Sequence, residues 1–259
     1  MRILLTNDDG ISSAGIRLLA KALRKADHRV FLVAPDSNRS GCSHSIEFLN
    51  GPLKFAEIEE DTWSCSGTPV DCIITALMGG ISEICISTEG AARNMERAPD
   101  LILSGINSGA NLGTDIIYSG TASAARQGSF FGIPSAALSL VESSLPWQWD
   151  SVVSYTVEKL VSIMGYWKEG FFINVNFPNT EKKPSALVPS FPSIRYYNDR
   201  IVTYISPEGN KYCFAKPGKV DNIPEEGSDW AEVIKGNAAF SVVMSQPAID
   251  SSFAAEAAP

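Results

Sequence analysis

Three groups of acidic and small polar residues each follow a short apolar run of the kind that predicts a buried strand. The apolar runs are 3–5, 30–34 and 101–103, and the polar residues after them are Asp8 and Asp9, then Asp36, Asn38, Ser40 and Ser43, then Ser104, Asn107 and Asn111. Ligands of open α/β sheets bind beyond the carboxyl ends of the strands, so we expect the three loops to converge. The sequence therefore predicts a polar, acidic site at one edge of a sheet.

Asp8 and Asp9 are adjacent carboxylates, which repel each other in a partly buried loop unless a cation lies between them or one stays protonated. The candidate ligands nearby are all oxygen donors, which suit hard cations such as Mg²⁺ and Mn²⁺. Zinc is disfavoured, because the chain has only two histidines, His28 and His44, and no thiolate cluster. Taken alone, the dipeptide is equally consistent with a turn that caps the next helix. Its position after a strand favours the metal site.

A glycine-rich stretch follows the third apolar run and contains Gly105, Gly109, Gly113 and Gly120. Glycine leaves backbone N–H groups accessible, and Ser119-Gly120-Thr121 falls where a helix is predicted to open, which favours anion binding. Each glycine alone is also consistent with an ordinary tight turn. A hard cation beside an anion cradle predicts a phosphate-containing ligand.

Several familiar motifs are absent from the 259 residues: there is no GxxxxGK[ST], no GxGxxG and no GxSxG. His44 lies in Ser43-His44-Ser45 and could serve as a general acid, although a lone histidine is more often a hydrogen-bonded structural residue. We interpret its neighbour Cys42 as a packing residue and not as a nucleophile.

The composition excludes some classes of protein and partner. The net charge of −8 argues against stable binding to nucleic acid, which needs clustered Lys and Arg. No stretch approaches the roughly 20 apolar residues of a membrane span, and the first apolar run is too short for a signal peptide. Five cysteines without a CxxC pair indicate reduced thiols. We therefore expect a cytoplasmic protein without a membrane partner.

The order of elements predicts an α/β fold. A strand at 3–5, a helix with Ile16, Leu19, Ala20 and Leu23 on one face, and a strand at 30–34 form a βαβ unit. Thr68-Pro69 starts a helix, and a further helix is expected at 149–164. Strands are expected at 101–103, 135–140 and 171–175. We divide the chain into a catalytic core, 1–178, and a β-rich segment, 179–259, which partly returns to the core and contains a hairpin at 200–215.

Five motifs, in this order, resemble the SurE family of survival-protein nucleotidases. They are Asn7-Asp8-Asp9-Gly10; Ala34-Pro35-Asp36 with Asn38-Arg39-Ser40-Gly41; Gly67-Thr68-Pro69 with Asp71; Ser104-Gly105-Ile106-Asn107 with Gly109 and Asn111; and Tyr118-Ser119-Gly120-Thr121. Weaker likenesses at 171–178 and 227–230 extend the resemblance over nearly the whole chain.

The resemblance implies a Rossmann-like, mostly parallel sheet flanked by helices, with a smaller β-rich C-terminal segment that serves oligomerisation, as a homodimer or homotetramer. It also implies a phosphatase that hydrolyses nucleoside 5′- and 3′-monophosphates with one divalent metal ion per subunit, Mg²⁺ or Mn²⁺. In the family pattern the metal ligands correspond to Asp8, Asp9, Ser40 and Asn107, and the groups near the phosphate correspond to Asn111, Ser119, Gly120 and Thr121.

The chain departs from the family pattern at Ala122, where a valine is usual, and at Gln127, where a glutamate is usual. In the implied mechanism the metal binds a phosphate oxygen and lowers the pKa of a water, and Asp8 or Asp9 is the first candidate to accept the proton. Two alternatives stay open: a non-catalytic nucleotide-binding protein, and another metal-dependent α/β enzyme such as a glycosyltransferase.

Overall fold

The computed structural model describes residues 1–87, 93–223 and 225–247. The Ala-rich tail at 253–259, for which the sequence predicts fraying, lies outside the described residues. The strands are β1 (Arg2–Thr6), β2 (Arg29–Pro35), β3 (Phe55–Glu59), β4 (Thr62–Cys65), β5 (Leu101–Ser108), β6 (Ser135–Val141), β7 (Phe171–Pro178), β8 (Leu187–Pro189), β9 (Arg195–Tyr197), β10 (Arg200–Ile205), β11 (Lys211–Lys216), β12 (Val220–Asn222) and β13 (Ala238–Met244). The α-helices are α1 (Ala14–Lys25), α2 (Pro69–Thr75), α3 (Asp115–Tyr118), α4 (Gly120–Phe130), α5 (Trp149–Met164) and α6 (Asp229–Ile234).

The main sheet has nine strands in the order β3-β4-β2-β1-β5-β6-β7-β13-β8. The six strands from β4 to β7 are all parallel, whereas β3 and β13 run antiparallel to their inner neighbours. The chain moves outward in one direction from β1 to β2 and in the other direction from β5 to β7. The two directions diverge between β1 and β5, which are adjacent, and a crevice forms at such a switch point beyond the carboxyl ends of the strands.

Both faces of the sheet are covered, and the side chains of β1 show how. Ile3 and Leu5 belong to the core beneath α1 and α5, whereas Leu4 points into the core on the opposite face, which α2 and α4 cover. Alternation of side chains along a strand produces this division, and burial on both faces explains why the parallel strands are continuous apolar runs. The predicted α/β fold class is confirmed.

Local sequence signals predicted most helices and strands of the core correctly. Thr68 caps α2, its hydroxyl accepting from the backbone N–H of Asp71, with Pro69 at the first helical position. Two details differ from the sequence prediction. The strand expected at 101–103 continues to Ser108, because Asn107 still pairs with Ser139 of β6 after an irregularity in the register. The edge strand β3 and its neighbour β4 were not predicted, because they lack a long apolar run.

The second half of the chain contributes both to the main sheet and to separate small sheets. Strand β13 pairs with β7, and β8 adds to β13. Strand β9 pairs with β12, and the predicted hairpin is formed by β10 and β11. Among the described residues, no helix combines the length and the apolar character needed to cross a membrane.

Candidate functional site

A pocket of about 670 Å³ opens at the carboxyl edge of the sheet, next to the ends of β1 and β5. Its wall includes five of the residues that the sequence singled out: Asp8, Ser40, Asn107, Asn111 and Ser119. The predicted convergence of the loops is therefore seen in the structure. Asp9, Gly120 and Thr121 lie behind this wall and contact the residues that form it.

Asp8 follows β1 and is only 3% exposed. Its Oδ1 accepts a hydrogen bond from the hydroxyl of Thr121. Burial raises the pKa of Asp8 because it disfavours the charged form, the Thr121 hydrogen bond lowers it, and the charge of Asp9 raises it further. A buried carboxylate beside a second carboxylate is stabilised by a cation, which agrees with the sequence argument.

Gly120 allows the close approach of α4 to Asp8. A Cβ atom on Gly120 would lie 2.8 Å from the Cβ of Asp8 and 2.9 Å from the Sγ of Cys42. Any larger residue would therefore displace the carboxylate or the helix. Cys42 packs beside this contact, in agreement with its interpretation as a packing residue. Burial raises the pKa of its thiol.

Asp9 and the loop that carries Ser40 both take part in hydrogen bonds with backbone groups of adjacent segments. The Oδ2 of Asp9 accepts from the N–H of Ser108 at 2.9 Å, which joins the end of β1 to the end of β5. Arg39 donates its N–H to the carbonyl of Asp8 at 2.7 Å. Ser40 is exposed, and its N–H donates to the Oδ1 of Asn38 at 2.7 Å. Ser40 thus lines the pocket from a short hydrogen-bonded turn.

Asn107 lies near the end of β5 and is largely buried. Its Nδ2 donates to the carbonyl of Gly109 at 3.0 Å. This hydrogen bond uses the amide nitrogen, so the side-chain oxygen is the atom that can serve as a neutral ligand.

Asn111 is held by buried polar residues of the neighbouring strands. Asn176 accepts from its N–H at 2.9 Å and donates to its carbonyl at 3.1 Å, and Asn174 donates to the same carbonyl at 2.9 Å. Its side-chain Nδ2 donates to the hydroxyl of Ser139 at 2.7 Å. The sequence predicted Asn111 but did not indicate the two asparagines of β7 that fix it.

Ser119 is the N-cap of α4, and its Oγ accepts from the N–H of Ala122 at 2.9 Å. A serine hydroxyl that accepts one hydrogen bond can still donate its own hydrogen to a ligand. Thr121 is fully buried, and its hydroxyl is directed to Asp8. Thr121 does not belong to the pocket wall that the described residues form, and it contacts the site through its hydrogen bond to Asp8.

Further residues of the pocket wall were not predicted, among them Asp115, Arg195 and Tyr197. Arg195 forms an ion pair with Oδ2 of Asp115, and the hydroxyl of Tyr197 donates to Oδ1. Burial raises the pKa of Asp115, and the hydrogen bond from Tyr197 and the charge of Arg195 lower it. No local sequence signal joins these residues, because about 80 positions separate the partners.

The side chain of Gln127, the departure from the family pattern, accepts a hydrogen bond through its Oε1 from the Nε2 of His44 at 3.0 Å. Burial lowers the pKa of His44, and the hydrogen bond with Gln127 raises it in part. Neither residue belongs to the pocket wall formed by the described part of the chain. The pair therefore connects the loop that carries Ser40 to α4. This contact favours the interpretation of His44 as a hydrogen-bonded structural residue over its interpretation as a general acid.

The donor set fits a hard cation. Within residues 1–87, 93–223 and 225–247 there is no group of three or more His, Cys, Asp and Glu side chains that could hold a metal. The pocket wall instead combines the carboxylate of Asp8 with the side chains of Ser40 and Asn107, and the carboxylate of Asp9 is hydrogen-bonded to Ser108 of the same wall. Such oxygen donors suit Mg²⁺ or Mn²⁺ and not zinc.

Fold and site together define a doubly wound α/β protein with an acidic, oxygen-lined pocket at its switch point and the N-terminus of α4 beside it. The family model described as "Survival protein SurE" matches residues 3–190. The chain belongs to the SurE family.

Individual relatives agree with this assignment. The "5′-nucleotidase SurE" of Stenotrophomonas maltophilia (strain R551-3) is 37% identical over 243 residues, which cover 92% of this chain and 87% of the relative. The protein of the same description from Prochlorococcus marinus (strain NATL2A) is 35% identical over 236 residues, covering 88% and 84%. The crystal structure of the SurE protein from Aquifex aeolicus superposes with a TM-score of 0.79 at 33% identity and covers 96% of this chain and 95% of that one.

Proposed function

We propose that this protein is a divalent-metal-dependent nucleotidase that hydrolyses nucleoside 5′- and 3′-monophosphates to nucleoside and phosphate. The reaction class is supported by membership of a family whose relatives carry the name 5′-nucleotidase. The observation that carries the proposal is the meeting of Asp8, Asn107 and Ser119 on one pocket wall.

Asp8, Asp9, Ser40 and Asn107 would hold one divalent ion, Mg²⁺ or Mn²⁺. The family is generally dependent on a divalent metal. Such an ion supplies positive charge to a phosphoryl oxygen and makes an attacking water more acidic. The protein residues prepare the site: Thr121 orients Asp8, and Asp9 joins the ends of β1 and β5.

The phosphoryl group would lie against the N-terminus of α4. The N–H groups at Gly120 and Thr121 begin an eleven-residue helix, and the hydroxyl of Ser119 has a hydrogen to donate. Asn111, whose backbone is held by Asn174 and Asn176, would also contact the phosphate. Asp8 or Asp9 would accept the proton of the attacking water, since each carboxylate has a second oxygen to offer.

A homo-oligomer, either a dimer or a tetramer, is the proposed assembly, with residues 1–178 as catalytic core and 179–259 as the segment that associates. Every residue of β10 and β11 is exposed. One face of the hairpin carries Val202, Tyr204, Tyr212 and Phe214, and the other carries Ile201, Thr203, Ile205, Cys213 and Ala215. Both faces carry exposed apolar side chains, with Arg200, Lys211 and Lys216 at the ends of the hairpin, so a second copy of the chain that enclosed or exchanged the hairpin would cover the apolar groups.

We also propose a cytoplasmic location. All five cysteines are free thiols, including exposed Cys213, which fits a reducing compartment.

The test is release of inorganic phosphate from a panel of nucleoside 5′- and 3′-monophosphates by the metal-free protein, before and after addition of Mn²⁺ or Mg²⁺. We expect no turnover without metal and turnover with it. A protein that binds nucleotides but releases no phosphate with either ion would contradict the proposal.

A further inference from the structure

The outer wall of the pocket differs in chemistry from its inner end. The part of the wall formed at the ends of β1 and β5 and at the start of α4, here called the inner end, contains Asp8, Asn107 and Ser119, the groups proposed to bind metal and phosphate. The part formed by β9 and the segment between β6 and α5, here called the outer wall, contains Tyr197 and Trp147. A nucleoside monophosphate with its phosphate at the inner end would have its sugar and base free to contact the rest of the pocket wall. The residues of that wall are therefore placed to meet the sugar and the base.

The ring of Tyr197 is held in one orientation. Its hydroxyl donates to Asp115, which also pairs with Arg195. The guanidinium carbon of Arg195 lies over the ring, 5.8 Å from its centroid. Tyr197 is nevertheless 47% exposed and lines the pocket. A cation thus lies near a hydrogen-bonded aromatic ring, and the exposed part of the ring offers a surface on which a ligand can stack.

The strand that carries this ring is fastened to the loop beside the phosphate site. The carboxylate of Asp229 accepts from the N–H of Gly113 at 2.8 Å and from the N–H of Ser193 at 2.9 Å. The two segments are so close that a Cβ on Gly113 would lie 1.8 Å from the carbonyl oxygen of Ser193. The distance between the aromatic wall and the inner end of the pocket is therefore set by the fold.

We propose that Tyr197 is the nucleobase platform of this pocket, on which the base of the substrate stacks while Asp115 and Arg195 hold the ring in place. The inference rests on the proposed nucleotidase function and deepens it, because it assigns the recognition of the nucleoside to the second half of the chain. Bases stack well on aromatic side chains and do so with little dependence on their identity. The platform would thus favour nucleotides over other phosphate monoesters without selecting strongly among bases.

The experiment compares adenosine 5′-monophosphate with ribose 5-phosphate, which has the same phosphate and sugar but no base. We expect Tyr197→Ala to lower kcat/KM for the nucleotide about 10- to 100-fold, mainly through KM, because stacking contributes that much affinity per base. Activity on ribose 5-phosphate should change by less than about 3-fold. Tyr197→Phe keeps the ring and should retain most of the preference for the nucleotide.

Tyr196→Ala is the matched control. Tyr196 is the adjacent residue of the same strand, is also exposed, and does not belong to the pocket wall within the described residues. It should leave both substrates unaffected, because adjacent side chains on a strand point in opposite directions. If Tyr197→Ala does not fold, as judged by circular dichroism, Tyr197→Leu provides the same comparison.

Two results would overturn the inference: an equal loss on both substrates, which assigns Tyr197 to the architecture of the site, or no loss on the nucleotide. Failure of the unmodified, metal-loaded protein to hydrolyse either substrate is a different result and contradicts the proposed function itself.

Discussion

The region around the carboxyl ends of β1 and β5 buries polar side chains, whereas the hairpin of β10 and β11 exposes apolar ones. At the strand ends, polar side chains such as Asp8, Asn111 and Thr121 are buried and hydrogen-bonded to one another or to the backbone. In the hairpin, apolar side chains such as Tyr204 and Phe214 are exposed and contact mainly each other, with ring centroids 5.6 Å apart.

In the site, one chain can satisfy most of the polar groups by itself. In the hairpin, the apolar side chains need a second surface to cover them. Buried polar groups are costly unless they are hydrogen-bonded, and at the pocket the chain provides most of those partners itself. The hairpin lacks a cover for its apolar faces in the described part of the chain. We therefore expect the geometry of the site to be a property of the subunit and the order of the hairpin to depend on association.

The largest effect on activity is expected for Asp8→Asn. The change removes the buried carboxylate ligand and should lower kcat/KM for a nucleoside monophosphate about 1000-fold, on the order of 4 kcal/mol. The variant should stay folded, because it replaces a carboxylate whose pKa is raised by burial. Phosphate release and thermal unfolding are the measurements. Asp61→Asn, at the opposite end of the sheet, is the control, and near-normal turnover by Asp8→Asn would exclude the metal assignment.

Asn176→Ala should have the next largest effect. Asn176 makes two hydrogen bonds to the backbone of Asn111, so its loss should cost about 1–3 kcal/mol of unfolding free energy and lower kcat/KM about 10- to 100-fold. Urea unfolding and steady-state kinetics measure the two effects. Asn174→Ala removes one hydrogen bond and should give a smaller effect; a larger effect for Asn174 would reverse the order of importance we infer.

Thr121→Val removes the hydroxyl that orients Asp8 while keeping the volume of the side chain. We expect a loss in kcat/KM of about 10-fold, equivalent to about 1.4 kcal/mol, together with a weaker apparent affinity for Mn²⁺. Thr156→Val is matched to it, because Thr156 is also fully buried but donates to the carbonyl of Val152 within α5. Equal effects of the two substitutions on activity would show that only a general loss of stability is involved.

Removal of the hairpin should change assembly and spare catalysis. Asn198 and Gly218 are in close contact, so residues 200–216 can be replaced by a short Gly-Ser linker. Light scattering should report a smaller species than the full chain, while Mn²⁺ binding per subunit changes by less than about 3-fold, in keeping with a site completed within one subunit. An unchanged oligomer mass, or a full-length protein that is monomeric at micromolar concentration, would contradict the role of the hairpin.

Gln127→Glu should have the smallest effect. Gln127 contacts His44 behind the loop that carries Ser40, so restoring the family residue should change kcat/KM by less than about 3-fold. The added charge should raise the pKa of His44, because a carboxylate stabilises the imidazolium. Titration of the ring by NMR and steady-state kinetics test the two statements, and a 10-fold change in activity would place the residue in the catalytic machinery after all.

The sequence by itself determined the elements of the core and the principal polar residues of the site. Continuous apolar runs report burial on both faces of a parallel sheet, and capping residues such as Thr68 mark helix starts, so both are local signals. The residues that follow strands could be assigned to one edge, because parallel strands all present their carboxyl ends there.

Only the tertiary structure decided which side chains contact and orient other side chains of the site. Thr121 was expected near the phosphate, and the fold directs its hydroxyl to Asp8. Arg195 and Tyr197 meet Asp115 although about 80 residues separate them along the chain. Periodicity and motif spacing describe neighbours within one element, whereas these contacts depend on how β9 and α3 pack against each other. That packing is the sum of many distant contacts, and no single stretch of sequence encodes it.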